Sequence, residues 1–280
     1  MNTLKRFCIL IVALMVISTF SSAYATSFIS LDNNKIVDIS STDKITDNTL
    51  LIKTKTLYVS VNGNNNNNGL KPETAKQNIQ NAIKIAKPGD TIKVAKGTYK
   101  EKLKINKNLK IIGHGQKDTI IDGQNKNSCI KITKNVRVTI KGFTIQNGDA
   151  KNYGGGIYSE GKVTLENLKI ISNRADGNSC GGGIFTRGTM TLQNSIIKSN
   201  NAMSSGGISN NGNLIIKNSI ITNNGATYSG GIGNSGTLTL INTKINNNNA
   251  EYGGGINNFN TLTMKNSKIT GNQAGHGGGI

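Results

Sequence analysis

From residue 157 onward, apolar and polar residues alternate in short runs, as in Leu238-Thr239-Leu240, and Asn or Gly breaks each run within a few residues. Alternation with a period of two predicts strands, and the frequent Asn and Gly exclude a long amphipathic helix. The runs also recur at fixed spacing. A Gly-Gly-Ile element occurs six times, with Ile157, Ile184, Ile208, Ile232, Ile256 and Ile280 separated by 27, 24, 24, 24 and 24 residues. A second apolar column comprises Leu165, Leu192, Ile216, Leu240 and Met264, and five residues later stand Ile170, Ile197, Ile221, Ile245 and Ile269. Three Asn or Ala columns keep the same period: Asn167 to Asn266, then Asn173, Asn200, Asn224, Asn248 and Asn272, then Ala175 to Ala274.

Each unit is expected to form three short strands joined by turns. One unit cannot bury its apolar side, but stacked units can, with strands about 4.8 Å apart. Stacking sets Ile over Ile inside and lets Asn side chains bond the Asn above and below. Asn and Gly also tolerate the left-handed conformation of sharp turns. A leucine-rich repeat has a similar period, yet Ser195, Ser219, Thr243 and Ser267 stand where it requires leucine. The pattern predicts an all-β, right-handed parallel β-helix of about 24 residues per coil.

Ahead of the repeats, residues 26–56 show no period and are expected to be a leader or linker. LYVSVNG, from Leu57, reads as a strand. Pro72 is expected to open a helix to about Ala86, with Ile79, Ala82, Ile83 and Ala86 on one face, ended by Pro88-Gly89-Asp90. Residues 57–105 are therefore expected to cap the solenoid, and residues 106–280 to form it. Val138, Ile140 and Ile145 already fall on the repeat columns.

Units such as GGGIYSEGKVTLENLKIISNRA and GGGINNFNTLTMKNSKITGNQA resemble the repeats of adhesin-like surface proteins of methanogenic archaea. They are also similar to the GGAI and FxxN repeats of chlamydial polymorphic outer-membrane proteins, although Ile replaces Phe three residues before the second Asn. The segment TIKVAKGTYKEKLKINKNLKIIGHGQKDTIIDG resembles the first coils of β-helices of the pectate-lyase-like and pectin-methylesterase-like kind. The resemblance covers about residues 57 to 280. It implies the fold and a secreted, surface-exposed, archaeal-type protein.

The N-terminus agrees with export. Lys5 and Arg6 precede an apolar run from Cys8 to Phe20 and then Ala23-Tyr24-Ala25, which predicts a signal peptide over residues 1–25, cut between Ala25 and Thr26. No membrane span is expected after cleavage, because no other apolar run approaches the roughly 18 residues needed. The chain is basic, with 33 Lys+Arg against 14 Asp+Glu. Its lysines are scattered rather than grouped with aromatics, so a nucleic-acid partner is not expected. Cys129 and Cys180 survive cleavage. Cys129, three residues before Ile132, is read as the counterpart of Cys180 two coils earlier, about 10 Å away and beyond disulfide reach. Both are expected to be unpaired.

Catalytic signals are sparse. Gly113-His114-Gly115 is similar to a motif of polygalacturonases, where paired aspartates accompany it. His276 belongs to a turn column of Tyr153, Cys180, Ser204, Tyr228, Tyr252 and His276. Asp149 and Asp176 fall on neighbouring coils with Arg174 beside them, and these three are the candidate catalytic residues. Asp176 and Glu251 share a column but stand three coils apart, about 14 Å. No cofactor and no metal site is expected. The columns imply a non-catalytic, adhesin-like surface protein that presents polar ladders to carbohydrate or a cell-surface polymer. A polysaccharide lyase or glycoside hydrolase using Asp149, Arg174 and Asp176 is the alternative. GNQAGHGGGI begins a further unit without finishing it. Ile256, Met264 and Ile269 are therefore expected at an open edge, met by further coils or an end-on partner.

Overall fold

A computed structural model describes residues 29–32, 35–38, 54–177 and 180–280. The expected signal peptide and its cleavage point lie outside the described residues. The chain divides into two units, residues 1–51 and 52–280. In the first unit, strands Ile29–Asp32 and Lys35–Asp38 pair antiparallel, Ile29 opposite Asp38. The stretch expected to be a leader or linker holds these two paired strands.

The second unit is a parallel β-helix. Each full coil contributes to four sheets rather than the expected three, because the Ala column carries a strand of its own. In one coil these strands are Lys162–Glu166, Lys169–Ile171, Arg174–Ala175 and, after the next turn, Ile184–Thr186. Taken in that order, the four sheets hold nine, eight, six and seven strands. We refer to them as sheets 1 to 4. Register follows the sequence columns: Leu165 pairs with Leu192, Ile170 with Ile197, Ala175 with Ala202 and Ile184 with Ile208.

Inward positions form one continuous core in which Ile157, Ile184, Ile208, Ile232 and Ile256 are each fully buried. Burying each such side chain is worth about 1.5–3 kcal/mol relative to leaving it in water. Ile256 was expected at an open edge but is covered, since its amide bonds to the Gly279 carbonyl and the last Gly-Gly-Ile segment passes over it. Met264 remains partly exposed in the last described coil.

A polar ladder runs inside the same core. Asn200 Nδ2 donates to Asn224 Oδ1 at 3.0 Å and to the Ile170 carbonyl at 3.0 Å, while Asn200 Oδ1 accepts from the backbone N and Nδ2 of Asn173. The pattern continues through Asn248 to Asn272. A second buried ladder joins Asn210 to Asn234 and Asn234 to Asn258, both at 2.7 Å.

Coiling starts earlier than residue 106. Strand Thr91–Val94 of sheet 1 pairs with Leu109–Gly113, and Gly97–Tyr99 and Leu103–Ile105 supply sheets 2 and 4 of the same coil. Their repeat is masked in the sequence because the coils differ in length: the register partners Ile92, Ile111 and Ile140 stand 19 and 29 residues apart rather than 24. The helix expected over Pro72–Ala86 is also divided, into a single 3₁₀ turn at Pro72–Thr74 and helix α1 at Ile79–Ile85. Between them the Lys76 backbone exchanges hydrogen bonds with Tyr58 and Ser60, and Asn65 Oδ1 takes the amides of Gln77 and Asn78. Those bonds hold residues 75–78 extended. Helix α1 buries Ile79, Ala82 and Ile83, with Ala86 just beyond it, against the first coil. Asn78 makes no capping bond; Glu101 reaches across instead and accepts the Ile79 and Gln80 amides at 2.8 and 2.9 Å.

Candidate functional site

The Asp149, Arg174 and Asp176 group forms as the columns dictate. Asp149 and Arg174 are register partners in the first pair of sheet 3 strands, and Asp176 follows that strand, its amide bonded to the Ala150 carbonyl. Arg174 Nε pairs with Asp176 Oδ1. Burial first, then the neighbouring Asp176 carboxylate, pushes the Asp149 carboxyl above its usual range, while Arg174 pulls it back. The two carboxyl groups interact directly.

The two histidines occupy different settings. His114 lies in an exposed turn, its Nδ1 3.3 Å from Asp118 Oδ2. His276 stacks on Tyr252 with ring centroids 5.5 Å apart, and Tyr252 stacks on Tyr228 at 5.6 Å. These three rings are exposed and come from the same turn of successive coils.

Cys129 and Cys180 are both free thiols. They are not counterparts, because Ile130, not Ile132, pairs with Ile157, so Cys129 stands one residue before its column isoleucine and Cys180 four before Ile184. Cys129 therefore points into the core, where burial and Asp122 push its thiol up to about 12. Cys180 pairs with Tyr153 in the turn column. Among the described residues, no group of three or more His, Cys, Asp or Glu side chains could hold a metal ion, and no helix is long and apolar enough to cross a membrane.

A feature absent from the sequence reading is the outward column of sheet 4. Lys104, Lys131, Tyr158, Phe185, Ser209, Gly233 and Asn257 pair in that order along the axis. Phe185 faces outward yet is only 1% exposed. Tyr158 stacks parallel to it at 5.6 Å, Tyr153 lies over it at 4.6 Å, and the Arg187 guanidinium sits 5.2 Å from its ring. Lys131 Nζ lies 5.3 Å from the Tyr158 ring. Lysines and aromatics scattered along the chain are thus gathered by stacking. The signal that could have found them is the residue after each column isoleucine, which reads Lys, Tyr, Phe, Ser, Gly and Asn from Ile130 to Ile256.

Comparison with family models matches residues 128–280 to the right handed beta helix region. The chain belongs to this family of right-handed β-helices. The match spans more than half of the sequence and gives the hand of the solenoid. Several solved structures are similar to this right-handed β-helix in its coiling. Pectate lyase Pel9A shares 16% identity over 80% of this chain and 74% of that one, with a TM-score of 0.49. Pectin methylesterase PemA from Erwinia chrysanthemi shares 14% identity over 74% and 81%, with a TM-score of 0.43. A rhamnogalacturonan lyase shares 12% identity over 77% and 63%, with a TM-score of 0.39. Comparison with curated protein sequences finds no match. At these scores the three enzymes' activities carry no argument about this chain.

Proposed function

We propose that this β-helix is a secreted, adhesin-like binding solenoid that holds carbohydrate or a cell-surface polymer on one side without cleaving it. The supporting observation is the exposed stack of Tyr228, Tyr252 and His276, one ring per coil at 5.6 and 5.5 Å. Aromatic rings on a water-exposed face cost hydration unless something apolar covers them, and the apolar face of a sugar ring fits such a platform. The rigid coil fixes the spacing between platforms, so little ordering is required on binding. Residues Tyr153 and Tyr158 extend aromatic character toward the N-terminal coils of the same face.

Glycan-array binding of the full chain and of Tyr252→Ala tests this reading. Loss of about tenfold in affinity, at an unchanged melting temperature, is expected for removal of one central aromatic anchor. Retention of full binding by a Tyr228→Ala/Tyr252→Ala double variant would sink it.

A lyase or hydrolase at Asp149, Arg174 and Asp176 is the second reading, favoured by the raised Asp149 carboxyl beside a cation. Its test is turnover of polysaccharide that Asp176→Ala abolishes. The Arg174–Asp176 ion pair, which engages the second carboxylate, argues against it.

A further inference from the structure

We propose that the cleft beside Tyr153 and Tyr158 is a subsite for acidic sugar units, which rests on the binding reading above and adds a charge selectivity to it. The cleft encloses about 380 Å³ and is lined by Lys102, Lys104, Lys131, Lys151, Tyr153 and Tyr158. Three of these lysines come from two neighbouring sheet 4 strands, Leu103–Ile105 and Ile130–Ile132, or from the residue just before the first. Lys104 and Lys131 are in register and about 4.8 Å apart along the axis. Both are exposed, as is Arg187. Like charges so placed repel each other, and an anion between them removes that cost.

The aromatic part is built with equal definition. Phe185 is the buried base on which Tyr158 stacks and Tyr153 leans, so both tyrosine rings are held by packing rather than by a ligand. Arg187, outside the cleft lining, sits 5.3 Å from the Tyr153 ring and adds a cation beside the tyrosines. Glu160 is an acidic group beside Tyr158, and it is engaged: Tyr158 donates its hydroxyl proton to Glu160 Oε1 at 2.7 Å; Asp149 adjoins the lining residues Asn127 and Ala150. Burial first, and Glu160 next, push that phenol up to about 12, so Tyr158 stays neutral and its ring stays in place. A sugar ring on the tyrosines carries its carboxylate or sulfate into reach of Lys131, Lys104 or Arg187. A neutral sugar makes the stacking contact alone. Single-stranded nucleic acid would offer anions too, but Tyr153 is tilted 33° and 38° from the rings of Phe185 and Tyr158, which does not give parallel platforms for successive bases.

The test titrates the full chain with three labelled probes: a tetra-uronate, the same tetrasaccharide with its carboxyls reduced to alcohols, and an oligothymidylate. The tetra-uronate is expected to bind at least about tenfold more tightly than the reduced form, with the gap closing as salt rises. Lys131→Gln and Arg187→Gln are expected to weaken it by about threefold each and to narrow its advantage over the reduced form, as removal of a cation from the site requires. A sulfated tetrasaccharide that replaces the uronate at equal affinity would still support the site, identifying the anion as the shared feature. Equal binding of charged and reduced probes, or indifference to both charge variants, would overturn the acidic subsite and leave the binding face standing. Tighter binding of the oligothymidylate would also overturn it. No binding of any saccharide would overturn both readings.

Discussion

Asparagine does two jobs in this chain, and backbone geometry separates them. Asn167, Asn194, Asn218, Asn242 and Asn266 end the sheet 1 strands with φ between 47° and 52°, the left-handed region where Asn is tolerated better than most residues. The Asn173 column six residues on has no such backbone and works through its side chain, buried and bonded above and below. Spacing places both columns, whereas only the dihedrals and burial tell the jobs apart. Asp149 offers a test at this scale. Its raised carboxyl means that the folded chain holds the proton more tightly than the unfolded chain. The associated stability is present in acid and lost as pH climbs through the raised range. Asp149→Asn should therefore raise the melting temperature slightly at pH 7 and leave it unchanged below about pH 3. An equal or lower midpoint at pH 7 would mean that the Arg174 attraction outweighs burial and Asp176.

Ladders and strands, rather than single residues, hold the coils in register. Each interior Asn saturates its carboxamide with two accepted and two donated bonds, so removing one member affects its neighbours as well as itself. Asn224→Ala leaves the Asn200 amide without its acceptor, removes one of the two acceptors of Asn200 Nδ2, and takes one bond each from Asn248 Oδ1 and the Ile197 carbonyl. At about 0.5–1.5 kcal/mol for each of these bonds, and more for the orphaned buried amide, the loss should reach about 3 kcal/mol. Denaturant unfolding of Asn224→Ala against an exposed strand control, Asn213→Ala, measures it; equal costs would show that water replaces the interior bonds. The second ladder was legible in principle, since Asn210, Asn234 and Asn258 also repeat every 24 residues. Toward the N-terminus Ser159 and Thr186 take its place, and their buried hydroxyls find no partner. The cap element was less legible. Helix α1 has the expected apolar face, but its length was set by bonds from Asn65 and the Lys76 backbone, and its N-terminus by Glu101 from 22 residues away.

At the scale of the molecule, the repeat should make the solenoid modular. Deleting residues 209–232 joins Ile208 to Gly233 and leaves every column in register, so the shortened chain should fold with a similar circular dichroism spectrum and a modestly lower melting temperature. Deleting residues 209–220 breaks the columns and should abolish cooperative unfolding. Similar behaviour of the two deletions would mean that column identity does not specify the coil. The sequence alone determined the period, the strand-and-turn character, the interior columns and the stacking, because in a solenoid a residue's neighbours in space are its equivalents one repeat away. Only the tertiary structure decided which side chains meet across different columns. Tyr153, Phe185 and Arg187 lie in three separate positions of the repeat. Their meeting depends on how far each turn swings its side chain over the neighbouring sheet, and a one-dimensional spacing does not contain that angle.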